Sequence, residues 1–288
     1  MPADKAEPAA PPGVRRACAG AVLFYTGPMS QQPEPADPPL AATPVVRTRG
    51  NRRTLEFQPG DIQSEMLLSR PDALVLAYAR AMMCFALFTP HPRHILMVGL
   101  GGGSLVKFCY RHFPRTRITV FEISAEVIAL RDAFQVPPDD ARLRILQADA
   151  GAAIHALEGG ADVILVDGFD AAGMPAALGS AAFYRGCRRA LRDGGVLVAN
   201  ILAYDPGHDL VAERIRHAFG GQVCEFSGIA GNNHLLFAVR PAADAAGAPG
   251  NRAARLCARV RRWRGLGLPI LNRLLARMLV VWLTWRPV

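Results

Sequence analysis

The alternation of short hydrophobic strands with helical segments between residues 93 and 240 is the strongest constraint on the fold. Such alternation is typical of a parallel sheet with helices on both faces. It predicts an α/β fold with a doubly wound, mostly parallel sheet. Strands are predicted at 94–98, 117–121, 142–146, 163–166, 196–200, 222–227 and 234–239, and helices at 105–113, 125–134, 151–157, 181–191 and 210–219.

The chain outside this region divides into three parts. Residues 1–45 are rich in Pro and Ala, and we expect them to be disordered. Residues 46–92 predict a short β region, followed at 72–88 by a helix buried on nearly every face. Residues 241–288 form a predicted linker and a basic tail.

A glycine-rich segment, Gly99 to Ser104, follows the first strand of the predicted sheet. Its glycines permit a tight turn and a close backbone approach to a ligand, and the next helix would point its N-terminal amides there. Glu122 comes about twenty residues later, where a carboxylate can accept hydrogen bonds from a ribose diol. The pattern favours a nucleoside site over a simple turn.

Three further carboxylates follow the ends of later strands, where ligands bind in sheets of this class. Asp149 is a candidate contact for an adenine amino group, and helix N-capping is the alternative. Asp167 and Asp170 follow the fourth strand and are predicted to face the same crevice, with loop solvation or capping as the alternative.

From about Arg53 to Val239 the chain resembles the spermidine synthase family of polyamine aminopropyltransferases, which share the Rossmann-like fold of S-adenosylmethionine-dependent methyltransferases. The resemblance rests on four segments in the family's order: the glycine loop, Val120 to Ile123, Ala148 to Ala150, and Asp167 to Ala171. The spacing from Asp170 to Gly195 is similar to the family's, without insertion or deletion.

The resemblance implies aminopropyl transfer from decarboxylated S-adenosylmethionine to a small-molecule amine. Asp167 would be the catalytic base, and Asp170 would hold the amine chain. The donor's nucleoside and sulfur would bind Gln63 and the glycine loop, with ribose on Glu122 and adenine near Asp149. The corresponding candidate donor contacts are Gly99, Gly101, Gly103, Glu122, Asp149 and Ala150. No metal is expected.

The acceptor side departs from the family pattern. The loop aspartate that grips an amine in the family falls at Gly102, and the following acidic position falls at Phe108. Residues 227–233 offer no tyrosine. Tyr78 matches either a family active-site tyrosine or an ordinary buried helix tyrosine. The alternatives to aminopropyl transfer are therefore methyl transfer from S-adenosylmethionine and a non-catalytic nucleoside-binding role.

Charge is concentrated in the tail. Residues 251–288 hold nine arginines and no Lys, Asp or Glu, so residues 1–250 are formally neutral (9 − 9 = 0). We expect a basic amphipathic helix on an anionic membrane surface, with a nucleic-acid- or partner-binding tail and a disordered extension as alternatives. No specific nucleic-acid partner is expected. Six cysteines without a CxxC pair indicate a cytoplasmic protein, and the short N-terminal β region leaves a homodimer open.

Overall fold

The computed structural model describes residues 43–58, 60–169, 173–230, 233–241, 255–257 and 269–285. The expected disorder of the N-terminal segment falls almost entirely outside these ranges. The predicted linker and Asp170 also lie outside the described residues.

The N-terminal β region is a three-stranded antiparallel sheet of β1 (Val45–Arg49), β2 (Arg52–Glu56) and β3 (Ile62–Leu67). Leu55 and Met66 are almost completely buried and join the main hydrophobic core. Through these side chains the small sheet shares the main hydrophobic core. This confirms the predicted short N-terminal β region.

The prediction of one helix over 72–88 is wrong in extent. The chain instead forms two short helices, α1 (Ala77–Met82) and α2 (Phe85–Phe88). Arg80 donates hydrogen bonds of 2.7 and 2.6 Å to the carbonyl oxygens of Leu74 and Val75, which hold the preceding segment in a turn. Both helices are buried in the core. The continuous hydrophobicity of residues 72–88 therefore predicted the burial of this segment correctly but not the length of its helices.

The main sheet has seven strands in the order β6-β5-β4-β7-β8-β10-β9. The first five in that order are parallel, and the last two pairings are antiparallel. This confirms the doubly wound, mostly parallel sheet. The strands are β4 (His94–Val98), β5 (Arg117–Glu122), β6 (Leu143–Gln147), β7 (Ala161–Val166), β8 (Leu191–Leu202), β9 (Val223–Ala230) and β10 (Asn233–Val239).

Helices cover both faces of this sheet. The core side chains on one face pack with α1, α2 and α3, and those on the other pack with α6 and α7, so alternate residues of β4 enter different clusters. The remaining helices of the described residues are α3 (Ser104–His112), α4 (Ala125–Ala129), α5 (Ala150–Ala153), α6 (Ala181–Ala190), α7 (His208–Ala218) and α8 (Pro269–Trp285).

Two helices are shorter than predicted. Helix α4 ends at Ala129, and the chain then turns through Gln135, whose φ is 53°. Phe134 and Val136, on either side of Gln135, are both buried in the core. Helix α5 ends at Ala153 and continues as a 3₁₀ turn, Ile154–Ala156.

Candidate active site

The candidate site lies at the carboxyl ends of β4 and β7. The chain runs from β4 outward to β5 and β6, and then returns to place β7 on the other side of β4. This reversal opens a crevice at the strand ends, the usual ligand position in such sheets. A cavity of about 510 Å³ occupies it. The predicted site residues that line it are Gln63, Tyr78, Gly99, Gly101, Glu122, Asp149, Ala150 and Asp167.

Gly99 allows the two central strands to end in close contact. Its φ is 92°, and a Cβ added there would lie 2.3 Å from the carbonyl oxygen of Asp167. The Asp167 amide also donates a 2.9 Å hydrogen bond to the carbonyl oxygen of Val98. The start of the glycine loop and the candidate base are thus fixed against each other through the backbone.

Gly103, which we predicted to contact the bound group, does not line the cavity. It precedes α3 with a φ of 65°, and a Cβ there would lie 2.3 Å from Cγ2 of Val136. Close packing against the α4–β6 connection therefore accounts for a glycine at this position, and its contact with the bound group stays a prediction.

Glu122 holds the glycine loop in place through a hydrogen bond to its backbone. One carboxylate oxygen, Oε2, accepts a 2.7 Å hydrogen bond from the Leu100 amide, and Oε1 accepts one of 2.9 Å from the Ser124 amide. A carboxylate oxygen can accept more than one hydrogen bond, so this arrangement is compatible with a ribose contact. The ribose role itself stays a prediction.

Asp149 caps α5, with Oδ1 accepting a 2.7 Å hydrogen bond from the Gly151 amide. The capping alternative is therefore realised. The residue also lines the cavity, as does Ala150, so the cap does not exclude the predicted contact with adenine.

Asp167 is the carboxylate at the centre of a polar network. Its Oδ1 accepts a 2.9 Å hydrogen bond from Nδ2 of Asn200, and Oδ1 of Asn200 accepts one of 3.0 Å from Nδ2 of Asn233. The Tyr78 hydroxyl is near enough to stabilise the carboxylate and lower its pKa. These contacts fix the orientation of a group that is well placed to accept a proton in the cavity.

The electrostatics of this network are set mainly by burial. Desolvation raises the pKa of Asp167, whereas the hydrogen bonds from Asn200 and Tyr78 oppose that rise because they stabilise the carboxylate. Desolvation and the nearby Asp167 carboxylate raise the pKa of Tyr78 well above its ordinary value of 10.0. Tyr78 is therefore a neutral hydrogen-bond donor at physiological pH.

Gln63 and Tyr78 bring the N-terminal region to the crevice. Nε2 of Gln63 donates a 2.8 Å hydrogen bond to Asp61, and the Tyr78 hydroxyl lies 3.5 Å from the backbone oxygen of Gln63. The small sheet and α1 thus form one wall of the cavity. The roles predicted for Gln63 and Tyr78 in substrate binding remain predictions, as does that of Asp170.

Sequence reasoning missed Asn200 and Asn233, both of which line the cavity. Asn200 is buried in β8 next to β7 and ends the hydrophobic run from Val196 to Ala199. Asn200 is also the last residue of the strand predicted at 196–200, so the rule that selects polar residues at strand ends would have selected it along with Asp149 and Asp167. Asn233 gave no comparable signal, because its position depends on the β8–β10 pairing.

Comparisons with known proteins identify relatives of this chain. The family model described as the spermine/spermidine synthase domain matches residues 75–204. A polyamine aminopropyltransferase from Chromobacterium violaceum is 37% identical over 206 residues, which cover 70% of this chain and 79% of that protein.

Two solved structures show the same fold. A probable spermidine synthase from Corynebacterium glutamicum gives a TM-score of 0.59 at 20% identity, covering 75% of this chain and 82% of that one. A spermidine synthase in complex with the transition-state analogue AdoDATO gives a TM-score of 0.52 at 23% identity, and the match covers 68% of this chain and 73% of that one. The relative from Chromobacterium violaceum, together with the family model, shows that the chain belongs to the spermine/spermidine synthase family.

Proposed function

We propose that this protein transfers an aminopropyl group from decarboxylated S-adenosylmethionine to a small amine acceptor in polyamine biosynthesis. Membership of a family whose relatives are named polyamine aminopropyltransferases supports the reaction class. The observation that carries the proposal is the Asp167 carboxylate, held by Asn200 and close to Tyr78 in the cavity beside the glycine loop.

The donor half of the cavity comes from β4, β5 and β6. Gly99 and Gly101 present backbone to the bound molecule, Glu122 receives the ribose, and Asp149 lies beside the adenine. Decarboxylated S-adenosylmethionine carries a sulfonium, so carboxylates in the cavity wall favour its binding over that of a neutral nucleoside.

The acceptor half lies around Asp167. An amine is nucleophilic only when it is neutral, so the ammonium form of the acceptor must lose a proton. Asp167 takes that proton, and the nitrogen lone pair then forms a bond to the propyl carbon attached to sulfur. The C–S bond breaks with its electron pair moving to sulfur, which leaves a neutral thioether, methylthioadenosine.

The environment of Asp167 suits this proton transfer. Burial raises its pKa, so its affinity for the amine proton is greater than that of a solvated carboxylate. The hydrogen bond from Asn200 holds the carboxylate in one orientation, which favours alignment of the amine with the carbon it attacks.

Calorimetric titration with decarboxylated S-adenosylmethionine, S-adenosylmethionine and methylthioadenosine tests the donor. We expect the decarboxylated form to bind at least about tenfold more tightly than the carboxylated form, and methylthioadenosine to be released by an amine acceptor during turnover. Preference for S-adenosylmethionine, with methyl transfer to an acceptor, would contradict the proposal. Binding of all three without any turnover in an amine screen would favour the non-catalytic alternative.

A further inference from the structure

Helix α8 contacts the body of the protein along one stripe. Its residues Ala276, Leu279 and Leu283 are 2%, 8% and 1% exposed and belong to the main core cluster. The helix packs against β9 and α1. Helix α8 is therefore packed against the edge strand of the main sheet, β9.

The opposite side of α8 is also apolar, and it is exposed. Five large side chains there have exposed fractions between 50% and 83%: Leu274, Met278, Val281, Trp282 and Trp285. Their spacing places them on one continuous face, which on α8 lies across the helix from the core contacts. Contiguous exposed apolar surface of this kind marks an interaction site.

Positive charge flanks this apolar stripe. Arg273 and Arg277 are exposed on one edge of it. The Arg277 charge is near enough to Arg80 of α1 to contribute, after desolvation, to lowering the pKa of Arg80. Residues 251–288 hold nine arginines and no acidic residue, so the net charge of this segment is complementary to a negatively charged partner.

We propose that α8 lies in the headgroup layer of an anionic lipid membrane, with its exposed apolar stripe in the lipid and its arginines on lipid phosphates. Tryptophan is enriched at this depth, and basic residues near an anionic surface add to the binding. Among the described residues, no helix is long and apolar enough to cross a membrane, so the inferred contact is peripheral.

Two other occupants fit less well. A symmetric pairing of α8 with a second copy would bring the arginines of both helices together in a segment that has no acidic residue. A nucleic acid would satisfy the charge but would leave the apolar stripe in water. An anionic membrane satisfies both features at once.

Tryptophan fluorescence provides a direct test on the full chain. All three tryptophans, Trp263, Trp282 and Trp285, belong to the tail, so the signal reports on this segment alone. Vesicles of phosphatidylglycerol with phosphatidylcholine are compared with vesicles of phosphatidylcholine alone, and sedimentation measures the bound fraction. We expect a blue shift and binding with the anionic vesicles, and binding at least about tenfold weaker without the anionic lipid.

Two double variants of α8 test the contribution of its arginines and that of its apolar stripe separately. Arg273→Gln/Arg277→Gln is matched by Arg185→Gln/Arg188→Gln, which removes two exposed arginines from α6 on the other face of the sheet. Met278→Gln/Val281→Gln is matched by Leu146→Gln/Leu210→Gln, which removes two exposed apolar side chains elsewhere. We expect both α8 variants to bind anionic vesicles roughly tenfold less tightly, and both controls to bind like the wild type.

Several results would overturn the proposal. Absence of binding to anionic vesicles would do so, and so would unchanged binding by Met278→Gln/Val281→Gln, which would reduce the contact to charge alone. A dimer that Met278→Gln/Val281→Gln dissociates would assign the face to a second copy. Tight binding to DNA without binding to vesicles would assign the arginines to nucleic acid.

Discussion

The side chain of Asn200 donates a 2.9 Å hydrogen bond to Oδ1 of Asp167 across the adjacent ends of β8 and β7. Asn200 is 2% exposed, and its own carbonyl oxygen accepts a hydrogen bond from Asn233. Its amide group therefore has a fixed orientation. This relationship defines Asn200 as a positioning residue for the proposed base.

Replacement of Asn200 by Ala should raise the pKa of Asp167 further, because the hydrogen bond lowers it. We expect the acidic limb of the kcat/KM profile to move to higher pH and kcat to fall roughly tenfold or more. Asn233→Ala, which leaves the Asn200–Asp167 contact in place, should have a smaller effect. A loss of activity without movement of the acidic limb would indicate a structural role only.

Asp167→Asn should separate stability from catalysis. The pKa of Asp167 is raised above its ordinary value of 3.8, so the charged form destabilises the folded state at neutral pH. We expect the variant to have a Tm higher by roughly 2–4 °C at pH 7, the shift that about 1 kcal/mol produces in a chain of this size, while turnover falls at least about a hundredfold.

The gain in Tm from Asp167→Asn should shrink as the pH falls through the raised pKa toward 3.8, because the wild-type carboxyl then becomes neutral in the folded state. Calorimetric scans from pH 8 down to pH 3.8 measure this trend. A gain that stays constant over the titration of Asp167 would contradict the assignment.

Glu122→Gln should weaken the nucleoside half of the site. The two carboxylate oxygens of Glu122 accept hydrogen bonds from the amides of Leu100 and Ser124. Gln at this position would replace one of these acceptor oxygens by a donor, so one of the two hydrogen bonds would be lost. We expect methylthioadenosine to bind at least about tenfold less tightly by calorimetry, since hydrogen bonds to charged groups contribute roughly 1.5–3 kcal/mol. The control is Glu126→Gln, an exposed glutamate on α4, which should bind normally. Equal affinities for both variants would remove Glu122 from the nucleoside site.

Lys107 makes folding depend on pH in the alkaline range. It is 4% exposed and donates a 2.7 Å hydrogen bond to the carbonyl oxygen of Phe134, and burial lowers its pKa to about 8. Between pH 8 and its ordinary value of 10.5 the unfolded chain holds a proton that the folded chain has lost, so this group makes stability rise with pH.

Lys107→Met should remove that rise, which we expect to be roughly 3 kcal/mol over this interval. Urea unfolding at several pH values measures the free energy of unfolding of both proteins. The chain has only one other lysine, and Lys5→Met serves as the control that keeps the rise. The same slope in wild type and Lys107→Met would show that Lys107 keeps an ordinary pKa.

Restoring the family's aspartate at Gly102 should not restore an amine contact. A Cβ at this position would lie 2.6 Å from Oγ of Ser64 and 2.8 Å from the ring of Phe134. We expect Gly102→Asp to cost roughly 1–3 kcal/mol in free energy of unfolding through overpacking. Gly160→Asp, in an exposed position with space for a side chain, should cost less. A stable Gly102→Asp protein with faster turnover would show that the loop can rearrange.

The sheet and the donor half of the site could be predicted because their signals are local. Residues 163–166 of β7 form a continuous hydrophobic run, and β4, β5 and β7 end at or directly before a glycine or a carboxylate that identifies the crevice. The turn at Gln135, the packing of Gly103 on Val136 and the contact of Asn200 with Asp167 were not predictable in this way. Each joins residues 30 or more positions apart, or depends on such a contact.

The strand order reverses between β4 and β7, and besides the small sheet and α1 two further stretches of sequence line the cavity there. Residues 99–150 supply the proposed donor wall, and residues 167–233 supply the proposed base and its asparagines. The two walls come into close backbone contact at Gly99 and Asp167. Substitutions in the second stretch are therefore expected to change the use of the proposed acceptor while the affinity for the proposed donor stays the same.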